Sequence, residues 1–381
     1  MRRIRLGMVG GGPEAFIGAV HRIAARLDDR YELMAGTFSS DPARSRDSAA
    51  ALHVAPDRAY GTYAEMAERE AARPDRIDAV SIVTPNHVHH GPAKVFLQAG
   101  FHVICDKPLC HTLDDALDLE ATVRSSPGLF ALTHNYTGYP MVRQARGMVR
   151  DGDLGEVRVV QVEYPQEWLT TKLEDTGQKQ AAWRTDPARS GAAGSVGDIG
   201  THAFNLAEFV TGLEVESLAA ELTAFVPGRA LDDNAHMLLR FKGGARGALW
   251  SSQVAPGDEN GLRLRVYGSK GGLDWSQEQP NTLTFTPFGE PPRLIRRAGA
   301  GASRAAAHAS RIPAGHPEGY LEGFAQLYRD FAEQIAARDE GRDPGSACLL
   351  VPGIAAGVRG MRFIAAAVAS GKADAAWTRI G

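Results

Sequence analysis

Residues Val9 to Arg22 read VGGGPEAFIGAVHR. An apolar run, Ile4 to Val9, precedes this stretch, and apolar residues at helical spacing follow it. Strand, glycine turn and helix in that order are the setting of the dinucleotide fingerprint G-x-G-x-x-G. Gly10 and Gly12 stand in place, but the next glycine, Gly18, comes three residues late. A dinucleotide site needs a tight turn, close backbone approach to the pyrophosphate, and a helix N-terminus aimed at it. Gly10 and Gly12 can supply the first two, and Gly18 can supply close packing of the helix. The extra residues fall around Pro13–Ala15 and lengthen the loop without deleting a part. A plain glycine-rich turn explains the glycines alone equally well, so the surroundings decide.

Those surroundings alternate. IRLGMV, YELMAGTF, IDAVSIVT, FHVIC and LFALTHN read as strands. IGAVHRIAARL, DPARSRDSAAAL, TYAEMAEREAA, HHGPAKVFLQAG and TLDDALDLEATVRS read as helices between them. The pattern predicts an α/β fold whose residues 1–135 form a doubly wound parallel sheet of Rossmann type. Residues 136–381 read as a second, α+β domain for substrate binding and oligomerisation. It has an irregular stretch from Pro165 to Gly197 and a large, mostly antiparallel sheet from Val215 to about Ile295. A mobile loop is expected at 298–312, and two closing helices after it.

The chain has 381 residues, which suits two domains. Its 44% hydrophobic and 23% charged residues are ordinary for a globular protein, and a formal net charge of −3 invites neither nucleic acid nor an anionic membrane. No uninterrupted apolar run of about 18 residues is present, so no membrane span is expected. MRRIRLG lacks the apolar core of a signal peptide. Three cysteines make no disulfide framework, and a cytoplasmic location is the expectation.

An acidic residue should end the second strand and grip the adenosine ribose. Phe38, Ser39 and Ser40 stand there instead, and Asp41 is better placed to cap the next helix. The serines, with Arg44 nearby, suit a ribose 2′-phosphate as well as a simple turn, so the cofactor is read as NAD or NADP. CDKPLC follows a parallel strand, which puts Lys107 at the carboxyl edge of the sheet with Asp106 able to hold its ammonium. A surface lysine in a turn is the plainer alternative. GAAGSVGDIGTHAFNL sets Asp198 and His202 four residues apart on one helix face. There the histidine can take a hydroxyl proton while the aspartate orients it, or the pair can be a helix cap and a core histidine. The run HVHH, His87–His90, lacks paired acidic ligands, and Cys105 and Cys110 are isolated, so no metal is expected. In PAGHPEGY, His316 and Tyr320 can reach over a substrate, or Pro317 can sit in the first turn of a helix. Tyr136 in THNYTGYP and Gln166 in YPQEW carry side chains suited to a sugar ring.

Taken together, the chain resembles the glucose–fructose oxidoreductase, inositol dehydrogenase and rhizopine-catabolism (Gfo/Idh/MocA) family. The matching pieces are the glycine turn ending in GAVH, TPNHVHHGPA after a strand, and DKP where the family has Glu-Lys-Pro. AAWRTDPARSGAAGSVGDIGTH, LDDNAHMLLRF and the closing alanine-rich helix complete them. The resemblance implies that Lys107, Asp198 and His202 line the nicotinamide pocket and handle the substrate hydroxyl. It implies cofactor contacts at Thr84 and Asn86, with His89 nearby, and at Trp183 and Arg184. Gly10, Gly12, Phe16, Ile17, Ser39, Ser40 and Asp106 join the cofactor set. The substrate set is Lys107, Tyr136, Gln166, Asp198, His202, His316 and Tyr320. The expected activity is hydride transfer at a ring secondary hydroxyl of a sugar, glycoside or cyclitol, in a homodimer or homotetramer. Two alternatives remain: a dinucleotide-holding sensor without turnover, and a glycoside-cleaving relative that oxidises transiently.

Overall fold

The computed structural model describes residues 2–13 and 15–381. Glu14, inside the expected insertion, lies outside the described residues. In chain order the elements begin with β1 (Ile4–Gly10), α1 (Phe16–Leu27), β2 (Tyr31–Thr37), α2 (Pro42–Ala51), α3 (Tyr63–Ala71), β3 (Ala79–Val83), α4 (His90–Gln98), β4 (His102–Cys105), α5 (Leu113–Ser125) and β5 (Phe130–Leu132). They continue with α6 (Pro140–Arg150), β6 (Val157–Pro165), α7 (Lys179–Arg184), α8 (Pro187–Ser190), α9 (Thr201–Thr211), β7 (Val215–Thr223), β8 (Asn234–Phe241), β9 (Arg246–Ser252), β10 (Arg263–Gly268), β11 (Gly271–Ser276), β12 (Thr282–Pro287) and β13 (Arg293–Arg296). The chain closes with α10 (Arg304–Ala309), α11 (Tyr320–Asp339), α12 (Ile354–Lys372) and β14 (Thr378–Arg379).

Two compact units result. One holds residues up to 138 and 320–358; the other holds 139–319 and 359–381. The first is a five-stranded sheet in the order β2-β1-β3-β4-β5, with every pairing parallel. Each expected strand and helix of this unit is present. Asp41 caps α2 by accepting the Arg44 amide at 2.7 Å, with Pro42 opening the helix.

The second unit is built on nine strands in the order β13-β12-β11-β10-β6-β9-β8-β7-β14. All its pairings are antiparallel except β6 with β9. Along β8, Ala235, Met237, Leu239 and Phe241 are buried while His236, Leu238 and Arg240 are exposed, the alternation of a sheet covered on one face.

Two expectations change, and one segment needs its packing to be read. The single boundary after residue 135 differs from the observed units, because α11 belongs to the first. Its stripe Phe324, Tyr328, Phe331 and Ile335 joins Val20, Ala24 and Ala25 of α1 in one core over Leu6, Ala79 and Ile104. Residues 298–312, expected as a mobile loop, contain α10, capped by Ser303. Behind them Arg297, 3% exposed, pairs with Glu318 at 2.7 Å and donates to the carbonyls of Ile312, Pro313 and His316. That buried ion pair gathers a segment whose composition alone suggests freedom. Finally, Cys348–Lys372 is long and apolar enough to cross a membrane, with a mean hydropathy of 1.4. Its many alanines raise that value without large side chains. In the fold α12 lays one face against its neighbours: Phe363 stacks on Phe204 at 4.3 Å, and Arg359 pairs with Glu208 at 2.8 Å.

Candidate active site

The strand order of the first sheet reverses between β1 and β3, and ligands of such sheets bind at the reversal. Gly10 and Gly11 have φ of +80° and +71°, which side chains disfavour. A Cβ on Gly18 would stand 2.3 Å from Gly11 Cα, so α1 meets the turn backbone to backbone. The late glycine therefore does the packing asked of it. A Cβ on Gly10 would stand 2.8 Å from Thr84 Cγ2, which brings the turn against the loop after β3. At α1, no side chain caps the first amides among the described residues. Thr84 Oγ1 is buried and has no hydrogen-bond partner among the described residues. Open helix amides, an orphaned hydroxyl and a cradle that a Cβ would fill fit a dinucleotide phosphate. Arg22 carries no signal in the sequence, yet it donates from α1 to the Gly11 carbonyl.

At the end of β2, Phe38 is buried, and its amide donates to Ser45 Oγ at 2.9 Å. Ser39 Oγ accepts the Asp41 amide at 3.2 Å, a turn contact. Ser40 and Arg44 are exposed. Phe16 is 66% exposed and stacks on Tyr320 at 6.4 Å, whereas Ile17 packs against the core.

The loop after β4 carries Asp106 and Lys107, and the peptide joining Lys107 to Pro108 is cis. Asp106 Oδ1 accepts the Thr133 hydroxyl at 2.8 Å and the Lys107 amide at 3.0 Å. Nε2 of His21, a fully buried residue, lies 3.9 Å from the same oxygen, beyond hydrogen-bond range. Burial opposes the charge on Asp106, but His21, Lys107 and His89 outweigh it and hold the carboxyl below its ordinary range. His89 is only 1% exposed. Its Nδ1 lies 2.8 Å from the Pro108 carbonyl and its Nε2 2.9 Å from the Thr84 carbonyl. Its ring thus braces the two edge loops from within. A neutral imidazole can donate to only one of these carbonyls, and burial pushes its pKa down against the pull of Asp106. Asn86 is buried on the turn Asn86–Val88, and Tyr136 is buried on the turn Asn135–Gly138.

In the second unit, Val196–Gly200 form a wide turn of π type that runs directly into α9, a distortion frequent at functional sites. Asp232 holds its entrance, accepting the Gly194 amide at 2.7 Å and the Val196 amide at 2.9 Å. A Cβ on Gly194 would stand 2.1 Å from the Asp232 carbonyl oxygen, so this glycine admits backbone. Burial pushes the Asp232 carboxyl up to about 6, with the two amides pulling against it.

Asp198 lies on the wide turn. Its Oδ2 accepts Arg184 Nε at 3.1 Å and Gln253 Nε2 at 2.9 Å. The Arg184 guanidinium lies 4.2 Å from the Trp183 ring centre, and its Nη1 donates to Gln180 at 2.5 Å. His202 is 7% exposed, with its ring 6.2 Å from that of Tyr164. Gln166 is held among neighbours, donating to Asn260 at 2.8 Å and accepting from Trp168 Nε1 at 3.1 Å. Asn260 also takes the Tyr164 hydroxyl at 2.8 Å. Gln253, Asp232 and Asn260 carry no signal in the sequence, because none of them stands at a telling spacing from another chemistry-bearing residue.

His316 is exposed on the segment before α11. That helix starts at Tyr320, so Pro317 precedes its first turn rather than lying in it. Tyr320 packs edge-on against Phe324 at 5.2 Å.

Comparison with known proteins agrees with both units. Residues 4–134 match the oxidoreductase family with NAD-binding Rossmann fold, and residues 142–274 match the GFO/IDH/MocA C-terminal domain. An uncharacterized oxidoreductase of Bacillus subtilis, YfiI, is 35% identical over 98% of this chain and 96% of its own. An oxidoreductase of Sinorhizobium meliloti is 57% identical, with a TM-score of 0.91 over 99% of both chains. An inositol dehydrogenase homolog of Azotobacter vinelandii, complexed with NADH and myo-inositol, is 37% identical. Its TM-score is 0.92 over 99% of this chain and 98% of that one.

Proposed function

Since the chain belongs to the Gfo/Idh/MocA oxidoreductases, with an NAD-binding Rossmann unit and the family's C-terminal domain, we propose that it is a dehydrogenase acting on a ring secondary hydroxyl of a sugar, glycoside or cyclitol. The myo-inositol complex of the Azotobacter homolog supports the cyclitol end of that range. When bound, the nicotinamide accepts or returns the hydride. Gly10, Gly12, Thr84 and Asn86 hold the dinucleotide, and His89 keeps the loops after β3 and β4 in register. His202 takes the hydroxyl proton, Lys107 stabilises the developing alkoxide, and Asp198 fixes the geometry.

The observation that carries this reading is the setting of Asp198 and His202. They share one stretch of helix, the histidine is nearly buried against an aromatic ring, and the carboxylate is held by two donors. A core histidine with a capping aspartate needs none of those donors, and Asp198 caps no helix. The test is a hydride-transfer screen of sugars and cyclitols, with NAD and NADP in parallel, followed by absorbance of the reduced nicotinamide. Turnover of at least one ring polyol is the expected result. Tight dinucleotide binding with no turnover across the panel would favour a sensor instead.

A further inference from the structure

We propose that Gln253 is a positioning residue for the Asp198 carboxylate, setting the plane in which that group meets the substrate hydroxyl. The inference rests on the role given to Asp198 above. Gln253 directly follows β9, and its main chain is tied on both sides: its amide donates to the Asp233 carbonyl at 2.8 Å, and its carbonyl accepts the Leu169 amide at 3.0 Å. The residue is 2% exposed. Its side chain donates from Nε2 to Asp198 Oδ2 at 2.9 Å.

That oxygen has a second donor of a different kind. Arg184 ends a helix of six residues, and its side chain is 25% exposed. It divides its donors between Asp198 and Gln180. Arg184 supplies charge from a short, partly solvated element. Gln253 supplies direction from the end of a sheet strand. Rotation of the carboxylate about Cβ–Cγ would break the bond to the buried amide and leave its N–H without an acceptor, so the sheet fixes the rotamer. An amide suits this task because it donates without adding charge. Glutamate at this position would set two carboxylates against each other when ionised, but would donate as the amide does when protonated.

The test uses the full chain with NAD and the best substrate from the screen. Gln253→Leu should lower kcat by about tenfold to a hundredfold, with the KM for NAD within about twofold of wild type. Gln253→Glu should be poorest at alkaline pH and recover as pH falls, because its protonated carboxyl restores the hydrogen bond. In parallel, ¹³C-detected titration of the Asp198 carboxyl, without substrate, should move to higher pH in Gln253→Leu, since a hydrogen bond to the charged form is gone. The proposal is overturned by wild-type kcat together with an unmoved titration in the leucine variant. It is equally overturned if both variants lose activity uniformly across pH, as a merely structural glutamine would give. Asp198→Asn at wild-type rate would overturn the role of Asp198 itself, and the titration would still judge the contact on its own.

Discussion

A single lysine or histidine says little, and the sequence marks Lys107, Asp198 and His202 through their company: a strand before the lysine, glycines before the aspartate, four-residue spacing to the histidine. What it misses are the side chains that hold them. Gln253 and Asp232 act through contacts between distant segments, and no local pattern encodes those. His89 is legible as a residue of the loop after β3, but its inward turn is not. Kinetics tests the marked residues. Removal of a positioned acid–base group costs about 10²–10⁴-fold in rate. Lys107→Met and His202→Ala should each lower kcat by roughly that factor while NAD still binds. Asp198→Asn keeps the shape and removes the charge, so its loss should be intermediate. The double variant Lys107→Met/His202→Ala should lose less than the product of the single losses, because groups acting as a unit are not additive. Steady-state rates beside NAD binding by fluorescence decide this; near-wild-type turnover in either single variant would move the proton to another residue.

Among the elements, the strands and helices of the first unit follow from periodicity and caps, and the late Gly18 poses the one puzzle. Its solution is contact between backbones, 2.3 Å from a Cβ at Gly18 to Gly11 Cα, which the chain cannot relieve by turning a side chain. Gly18→Ala should therefore destabilise the first unit by about 1–3 kcal/mol, as overpacking does, and weaken NAD binding in the fraction that folds. Denaturant melts and NAD titration measure both; full stability and affinity would mean that the turn gives way easily. The start of β4 offers a pH test. Burial pushes the imidazole of His102 down to about 4, while its Nδ1 accepts the Leu129 amide at 2.9 Å. A lowered histidine pKa means that the unfolded chain binds the extra proton first. Stability is then full above about pH 6.5 and falls as pH drops toward 4, by about 2–3 kcal/mol for this group. His102→Asn keeps an acceptor for Leu129 and has no proton to gain, so its melts should show a shallower loss between pH 6.5 and 4. An unchanged slope would assign the acid loss to other groups, with His134, pushed down to about 3 by burial, next in line. Elsewhere, elements escaped the sequence where composition misleads. The Ala, Gly and Arg of 298–312 hide α10, and nothing local announces that β6 and β9 run parallel.

For the molecule as a whole, sequence order suggests two successive domains, and the fold instead sends α11 back to the first sheet. Such a return follows from which apolar stripe fits which face, and that is not written in order along the chain. The second sheet poses the remaining large-scale question. Its inner face is buried, while its other face presents Leu238 at 59% exposure and Tyr267 at 45%, beside His236 and Arg240. Charges on the same broad sheet pair within it, Arg263 with Asp274 at 2.5 Å and Arg265 with Glu163 at 3.4 Å, which leaves little net charge to repel a copy. An antiparallel sheet commonly leaves one face to water, but large apolar side chains on that face are costly there, and a patch of them marks an interaction surface. A second copy of the chain meeting this face about a twofold axis would cover it with the same residues, since one patch then serves both partners. The expected outcome is a dimer, or a tetramer made of such dimers, by sedimentation at micromolar concentration. Leu238→Glu would bring two like charges toward the axis and should shift the protein toward monomer while the circular dichroism of the fold is retained. A wild type that sediments as a stable monomer would refute the pairing. A Leu238→Glu variant that keeps the wild-type assembly would place the interface on another surface.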